Sequence, residues 1–149
     1  MSPHAPAAFI NLPVSDLGAS EPFYTALGFK KNPTWSSDDT TCMVLSPTIA
    51  VMLMQHPRFK SFMPPTKTLI SGRSDTECLF CITVPQREDV DRMVLEAEEK
   101  GGKKDPTTLP EMPGGYGRSV EDPDGHVWEL AFMEGLGEGI PLECKKGGC

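Results

Sequence analysis

Apolar and polar positions alternate along residues 8 to 16, AFINLPVSD, so that Ile10, Leu12 and Val14 share one face of a strand and Phe9, Asn11 and Pro13 the other. Asp16 and Ser20 then supply N-terminal helix signals, and Phe23, Tyr24 and Leu27 recur at helical spacing until Gly28 closes the element. Pro22 is compatible only with a first helical turn, which sets the expected start close to Ser20. TCMVL and IAVMLM, separated by Ser46-Pro47-Thr48, read as a hairpin. Residues 57 to 76 carry paired prolines at 64 and 65, aromatic anchors at Phe59 and Phe62 and a polar run, the pattern of a connection. The order of elements then repeats. ECLFCITV, 77 to 84, reads as a strand with Phe80, Ile82 and Val84 on one face and Glu77, Leu79, Cys81 and Thr83 on the other. The helix expected from about Gln86 puts Val90, Met93, Val94 and Ala97 at i, i+3, i+4 and i+7, and Gly101-Gly102 ends it.

The closing stretch, DPDGHVWELAFM from Asp122 to Met133, couples a turn to a strand. Asp124-Gly125 is a tight-turn dipeptide, because glycine takes the positive φ that such a turn requires. Along the strand, Trp128, Leu130 and Phe132 fall on one side and Val127, Glu129, Ala131 and Met133 on the other. Glu129 breaks the apolar run. A carboxylate in such surroundings is unfavourable unless it is hydrogen-bonded, paired, protonated or bound to a metal, so it marks a candidate catalytic group; on the open face of a half-solvated strand it is an ordinary residue.

Strand, helix and further strands thus occur twice, which predicts an α+β chain of two modules, 8–56 and 77–133, joined by 57–76 into a single domain over 8–133. The segment 1–7 reads as a disordered tail and the Gly-rich 134–149 as a flexible one. Identity between the halves is negligible, so the repeat rests on element order and face alternation.

Composition narrows the function classes. The 149 residues suffice for one sizeable core, and 14 Lys and Arg against 21 Asp and Glu give a net charge of −7, which argues against nucleic acid or an anionic membrane as partner. The N-terminus lacks the basic and apolar regions of an export signal and no run is apolar enough to span a bilayer, so a cytoplasmic location is the default expectation. The five cysteines lack the spacing of a disulfide framework and read as free thiols; Cys78 and Cys81, on opposite faces of one strand, do not form a redox or zinc pair. Among the histidines, His4 is in the tail, His56 follows a strand, and His126, three residues from Glu129 along a strand, reads as a turn residue bonding to backbone. Asp122 and Asp124 lack the remaining positions of a calcium loop, and GGYG at 114 to 117 opens a strand, unlike a phosphate-binding loop.

LPVSDL with FYTALGF, a second helix ending in a glycine pair, and YGRSVEDPDGHVWEL together resemble the vicinal-oxygen-chelate superfamily of glyoxalase I, bleomycin-resistance proteins and extradiol dioxygenases. Small proteins labelled predicted lactoylglutathione lyases are the nearest likeness. The resemblance covers residues 8 to 133 and implies two βαβββ modules in a half-open barrel around a cavity, a homodimer, and lyase or dioxygenase chemistry. It also implies four metal-ligand positions, which by motif fall on Phe9, Met52, Leu79 and Glu129. Only Glu129 is a ligand type for a divalent ion. The expected cavity-facing set is Phe9, Asn11, Met52, Met54, Glu77, Leu79, Cys81 and Glu129, an apolar surface with few polar groups that suits a small organic ligand. Three readings follow: a small-molecule binder with a degenerate metal site and no resident cofactor, Glu129 being its proton-transfer group; a metal-dependent lyase or dioxygenase with atypical ligands; and a ligand-free dimerisation module.

Overall fold

The computed structural model describes residues 5–137 and 139–140; His4, most of the expected N-terminal tail, and the end of the C-terminal tail with Cys144 and Cys149 lie outside the described residues. Two βαβββ modules are present. The first runs β1 (Ala8–Val14), α1 (Leu17–Ala26), β2 (Lys30–Asn32), β3 (Thr40–Ser46) and β4 (Ile49–Gln55), with a single 3-10 turn at Pro33–Trp35. A short helix, α2 (His56–Lys60), opens the connection. The second runs β5 (Phe80–Thr83), α3 (Arg87–Glu99), β6 (Lys103–Lys104), β7 (Gly115–Glu121) and β8 (Val127–Met133). Each module is one four-stranded sheet, ordered β1-β4-β3-β2 and β5-β8-β7-β6, with the first and last strands parallel and the rest antiparallel. The sheets do not close into a barrel, in keeping with the half-open form.

Face alternation along the strands is as the pattern predicts. Leu12, Val14, Val51, Leu53, Trp128 and Leu130 are buried, and with the α3 stripe Val90, Met93, Val94 and Ala97 they belong to one core spanning both modules. The junction is aromatic. Trp128 stacks on Phe80 at 4.6 Å and meets Tyr24 and Phe29 edge-on at 5.7 and 5.5 Å, so rings of the two modules interlock. Where α3 ends, Gly102 lies so close to the Phe23 ring that a Cβ would sit 2.6 Å from it.

Several boundaries differ from expectation. Helix α1 begins at Leu17, because Asp16 caps it by accepting from the Ala19 amide at 3.2 Å; Pro22 is therefore interior, tolerated where Gly18 and Pro22 are both exposed and the unpaired carbonyl meets solvent. Strand β5 starts only at Phe80, so Glu77, Cys78 and Leu79 belong to the connection. Strands β2 and β6 complete the expected βαβββ order at positions the apolar pattern does not mark. Each is a two- or three-residue edge rich in lysine, with no apolar alternation to betray it.

Candidate functional site

The turn between β7 and β8 is the place where the modules are fastened together. Asp122 is 4% exposed. Its Oδ1 accepts from the amides of Asp124 and His126, both at 2.9 Å, which is the local bonding that makes Asp-Pro-Asp-Gly a turn. Its Oδ2 accepts from the Tyr24 hydroxyl of α1 at 2.8 Å, and the Trp128 indole donates in turn to that hydroxyl at 3.3 Å. The amide of Ser15 donates to Asp124 Oδ1 at 3.0 Å, and His126 Nε2 lies 2.7 Å from the carbonyl oxygen of Pro13. Asp124 Oδ2 is buried without a hydrogen-bond partner among the described residues. Gly125, at φ +94°, packs directly on the backbone of Gly72 in the connection, leaving no space for a Cβ. Burial raises the Asp122 carboxyl above its ordinary range; His126, the backbone donors and Tyr24 pull the other way without cancelling it. The Tyr24 phenol is pushed well up, by burial first and then by Asp122.

Beside this joint lies a cavity of about 370 Å³. Its floor is β1, from Ile10 to Pro13, together with Phe80, His126 and Val127; its roof is the connection, with Phe59, Met63, Leu69 and Ile70. Apolar side chains dominate the walls, and the polar groups are few: Asn11, Lys67, Asp75, Glu77, His126 and three threonine or cysteine side chains. The roof is held down where Gly72 meets Gly125, and Arg73 donates to the Pro123 carbonyl at 3.5 Å.

Seven of the eight residues expected to share one cavity are distributed over three places, and the eighth, Leu79, is exposed on the connection. Asn11 and Glu77 line the cavity between the modules. Phe9, Met52 and Met54 lie on the face of the first sheet opposite the core, where Asn11 pairs with Met52 and Cys42 flanks Met52 on the other side. Phe9 is 47% exposed and stacks on Trp35 at 5.4 Å, at the edge of a shallow hollow of about 190 Å³. Glu129 and Cys81 are register partners on the corresponding face of the second sheet, with Ser119 across from Glu129 on β7. Glu129 is half-buried, its carboxylate makes no hydrogen bond or ion pair to a described residue, and it does not line the cavity. Burial, and secondarily the Glu129 carboxylate, raises the Cys81 thiol, so the sulfur stays protonated beside it. Leu79 is 60% exposed. Cys42, Cys78 and Cys81 are free thiols.

The positions that would hold a glyoxalase-type ion do not fit one. Phe9 and Leu79 have no donor atom, Met52 offers only a thioether, and among the described residues no three His, Cys, Asp or Glu side chains gather as a ligand set. His126 does bond to backbone, as expected of a turn residue, but to the backbone of the other module. Sequence reasoning passed over Asp122, Tyr24 and the roof of the cavity. The signal for the first was the Asx-turn motif itself, whose leading aspartate has one oxygen left over for a partner.

No helix among the described residues is long and apolar enough to cross a membrane. A family model described as Glyoxalase/Bleomycin resistance protein/Dioxygenase superfamily matches residues 7–130. Among solved structures, a hypothetical protein from S. aureus is 26% identical with a TM-score of 0.70, covering 87% of this chain and 95% of that one. A glyoxalase/bleomycin resistance protein/dioxygenase family enzyme from Burkholderia phytofirmans is 18% identical, with a TM-score of 0.68 over 87% and 99% of the two chains. The fosfomycin resistance protein FosX from Mesorhizobium loti is 14% identical, with a TM-score of 0.59 over 87% and 92%. A search of curated proteins finds no match.

Proposed function

The chain belongs to the Glyoxalase/Bleomycin resistance protein/Dioxygenase superfamily, and from that premise we propose that it binds a small organic molecule in the cavity between its modules, without a glyoxalase-type metal centre. The observation that carries this reading is the cavity itself. Its volume of about 370 Å³ falls within the range of about 300–1,000 Å³ typical of ligand sites, and its apolar walls with a few polar groups are the usual make-up of one. A ligand-free module would need no space larger than a water or two, each of about 30 Å³.

The test is a thermal-shift screen of neutral and charged small molecules, repeated on Val127→Trp, which fills the cavity from β8. Hits that stabilise the parent chain and fail on the filled variant are expected. Hits that stabilise both equally would place the ligand elsewhere and overturn the reading. Stoichiometric nickel, zinc, iron or manganese in protein purified without chelator would favour the metal-dependent alternative.

Glu129 and Cys81 on one sheet, and Phe9 with Trp35 on the other, support a second copy of the chain as partner. Each group lies on a sheet face that neither α1 nor α3 covers, and a homodimer burying these faces would give Glu129 the apolar surroundings in which a carboxylate moves protons. Light scattering at tens of micromolar, about the range in which modest interfaces persist, is expected to give a dimer. A monomer there would leave the Glu129 face uncovered and overturn this second reading.

A further inference from the structure

A second cavity, of about 410 Å³, adjoins the first, and Pro13, Leu69, Ile70, Gly72 and His126 line both. Of these five, only His126 has a polar side chain. Its Nε2 is 2.7 Å from the Pro13 carbonyl oxygen, and a carbonyl can only accept, so Nε2 carries the hydrogen. In the neutral imidazole that leaves the lone pair on Nδ1. The ring is held in this setting at its base as well, because the His126 amide donates to Asp122 Oδ1 and its carbonyl accepts from the Asp122 amide. No described residue donates to Nδ1. The first cavity's charged groups are two carboxylates against one ammonium: Glu77, which has no hydrogen-bond or ion-pair partner among the described residues, and Asp75, which accepts from the Ser74 hydroxyl, against Lys67; the Asn11 amide, Thr68, Thr76 and Cys78 can each donate or accept.

We propose that His126 Nδ1 is the hydrogen-bond acceptor that fixes the ligand in the cavity, and that the ligand is a neutral, largely apolar molecule presenting an N–H or O–H group. An anion would meet the Asp75 and Glu77 carboxylates, and a ligand without a donor would leave Nδ1 unpaired. This assignment rests on the cavity being the binding site.

Indole is the probe, with indole-3-acetate as its anionic counterpart, titrated into ¹⁵N-labelled protein. The free protein should show His126 in the Nε2–H tautomer, and indole should shift the Nδ1 resonance saturably. His126→Phe should weaken indole about tenfold, the loss of one modest hydrogen bond. Because Phe also gives up the bond to Pro13, His126→Gln is the control: its amide can donate to that carbonyl while its oxygen still accepts, and it should recover part of the affinity. Indole-3-acetate should bind at least about tenfold more weakly than indole. An Nδ1–H tautomer, saturation with Nδ1 unmoved, equal binding of the anion, or failure of indole to bind the folded chain would each overturn the assignment. If other small molecules still bind and Val127→Trp abolishes them, the cavity reading survives that failure; if nothing binds, both fall.

Discussion

Asp122 and Glu129 flank the same turn and strand, yet the molecule treats the two carboxylates oppositely. Asp122 is buried, its carboxyl accepts three hydrogen bonds and reaches across to α1, whereas Glu129 is half-buried, its carboxylate has no hydrogen-bond or ion-pair partner among the described residues, and it sits on a sheet face that neither α1 nor α3 covers. Along the strand, Glu129 is the residue that stands out, because it interrupts an apolar run. Burial, however, is decided by what packs on a face, and the other module packs on the turn. The out-of-pattern carboxylate is free for chemistry or for a partner chain; the one that looked like ordinary turn material holds the modules together.

The difference between the two can be broken in order of effect. Asp122→Ala strips the partner from a buried hydroxyl and two amides, and should cost about 4 kcal/mol in chemical denaturation. Gly125→Ala demands a Cβ where the Gly72 backbone lies, at a positive φ, and should cost about 3 kcal/mol by the same measurement. Tyr24→Phe keeps the rings but leaves Asp122 Oδ2 and the Trp128 indole without their partner, for about 1.5 kcal/mol.

A smaller effect distinguishes Asp122 by pH. Its folded carboxyl is raised by burial, so its protonation contributes stability that is fully present below the unfolded value of about 3.9 and is lost as pH rises through the folded value. Asp122→Asn cannot titrate. The stability of the parent relative to this variant should therefore fall as pH rises above about 4, and a flat difference would mean that the carboxyl is not raised. At the far end, Glu129→Gln should change stability by less than about 0.5 kcal/mol. Were it to cost as much as Asp122→Ala, Glu129 would be a structural carboxylate and the contrast would collapse.

Much of the frame was legible from periodicity: the buried faces of β1, β4 and β8, the α3 stripe and the β3–β4 hairpin all follow from side-chain alternation. Lysine-bearing β2 and β6 were not, since an edge strand is defined by its neighbour's hydrogen bonds rather than by its own apolar face. The site was only partly legible. Alternation put Asn11 on the face away from the core, and the structure puts it, with Glu77, in the cavity wall; but the roof comes from a Pro-rich connection whose residues follow no period. Phe59 and Phe62 illustrate the limit. Both read as anchors, and while Phe59 lines the cavity, Phe62 is 57% exposed with Arg58 stacked over it. Which of two nearby aromatics turns inward depends on the chain it lands on.

Four hydrogen bonds at the joint connect residues 98, 104, 109 and 113 positions apart. Strand pairing inside each module is far more local, so either module can assemble before the two meet, and the order of events on the path to the native chain follows from that separation. Drawing the ends of so long a loop together carries an entropic cost that only the completed aromatic junction offsets. A clasp that closes only once both modules have assembled acts mainly as a brake on opening: on that order of events, weakening it is expected to speed unfolding in stopped-flow measurements while the refolding rate stays nearly unchanged, and slowed refolding would place the joint in the folding nucleus.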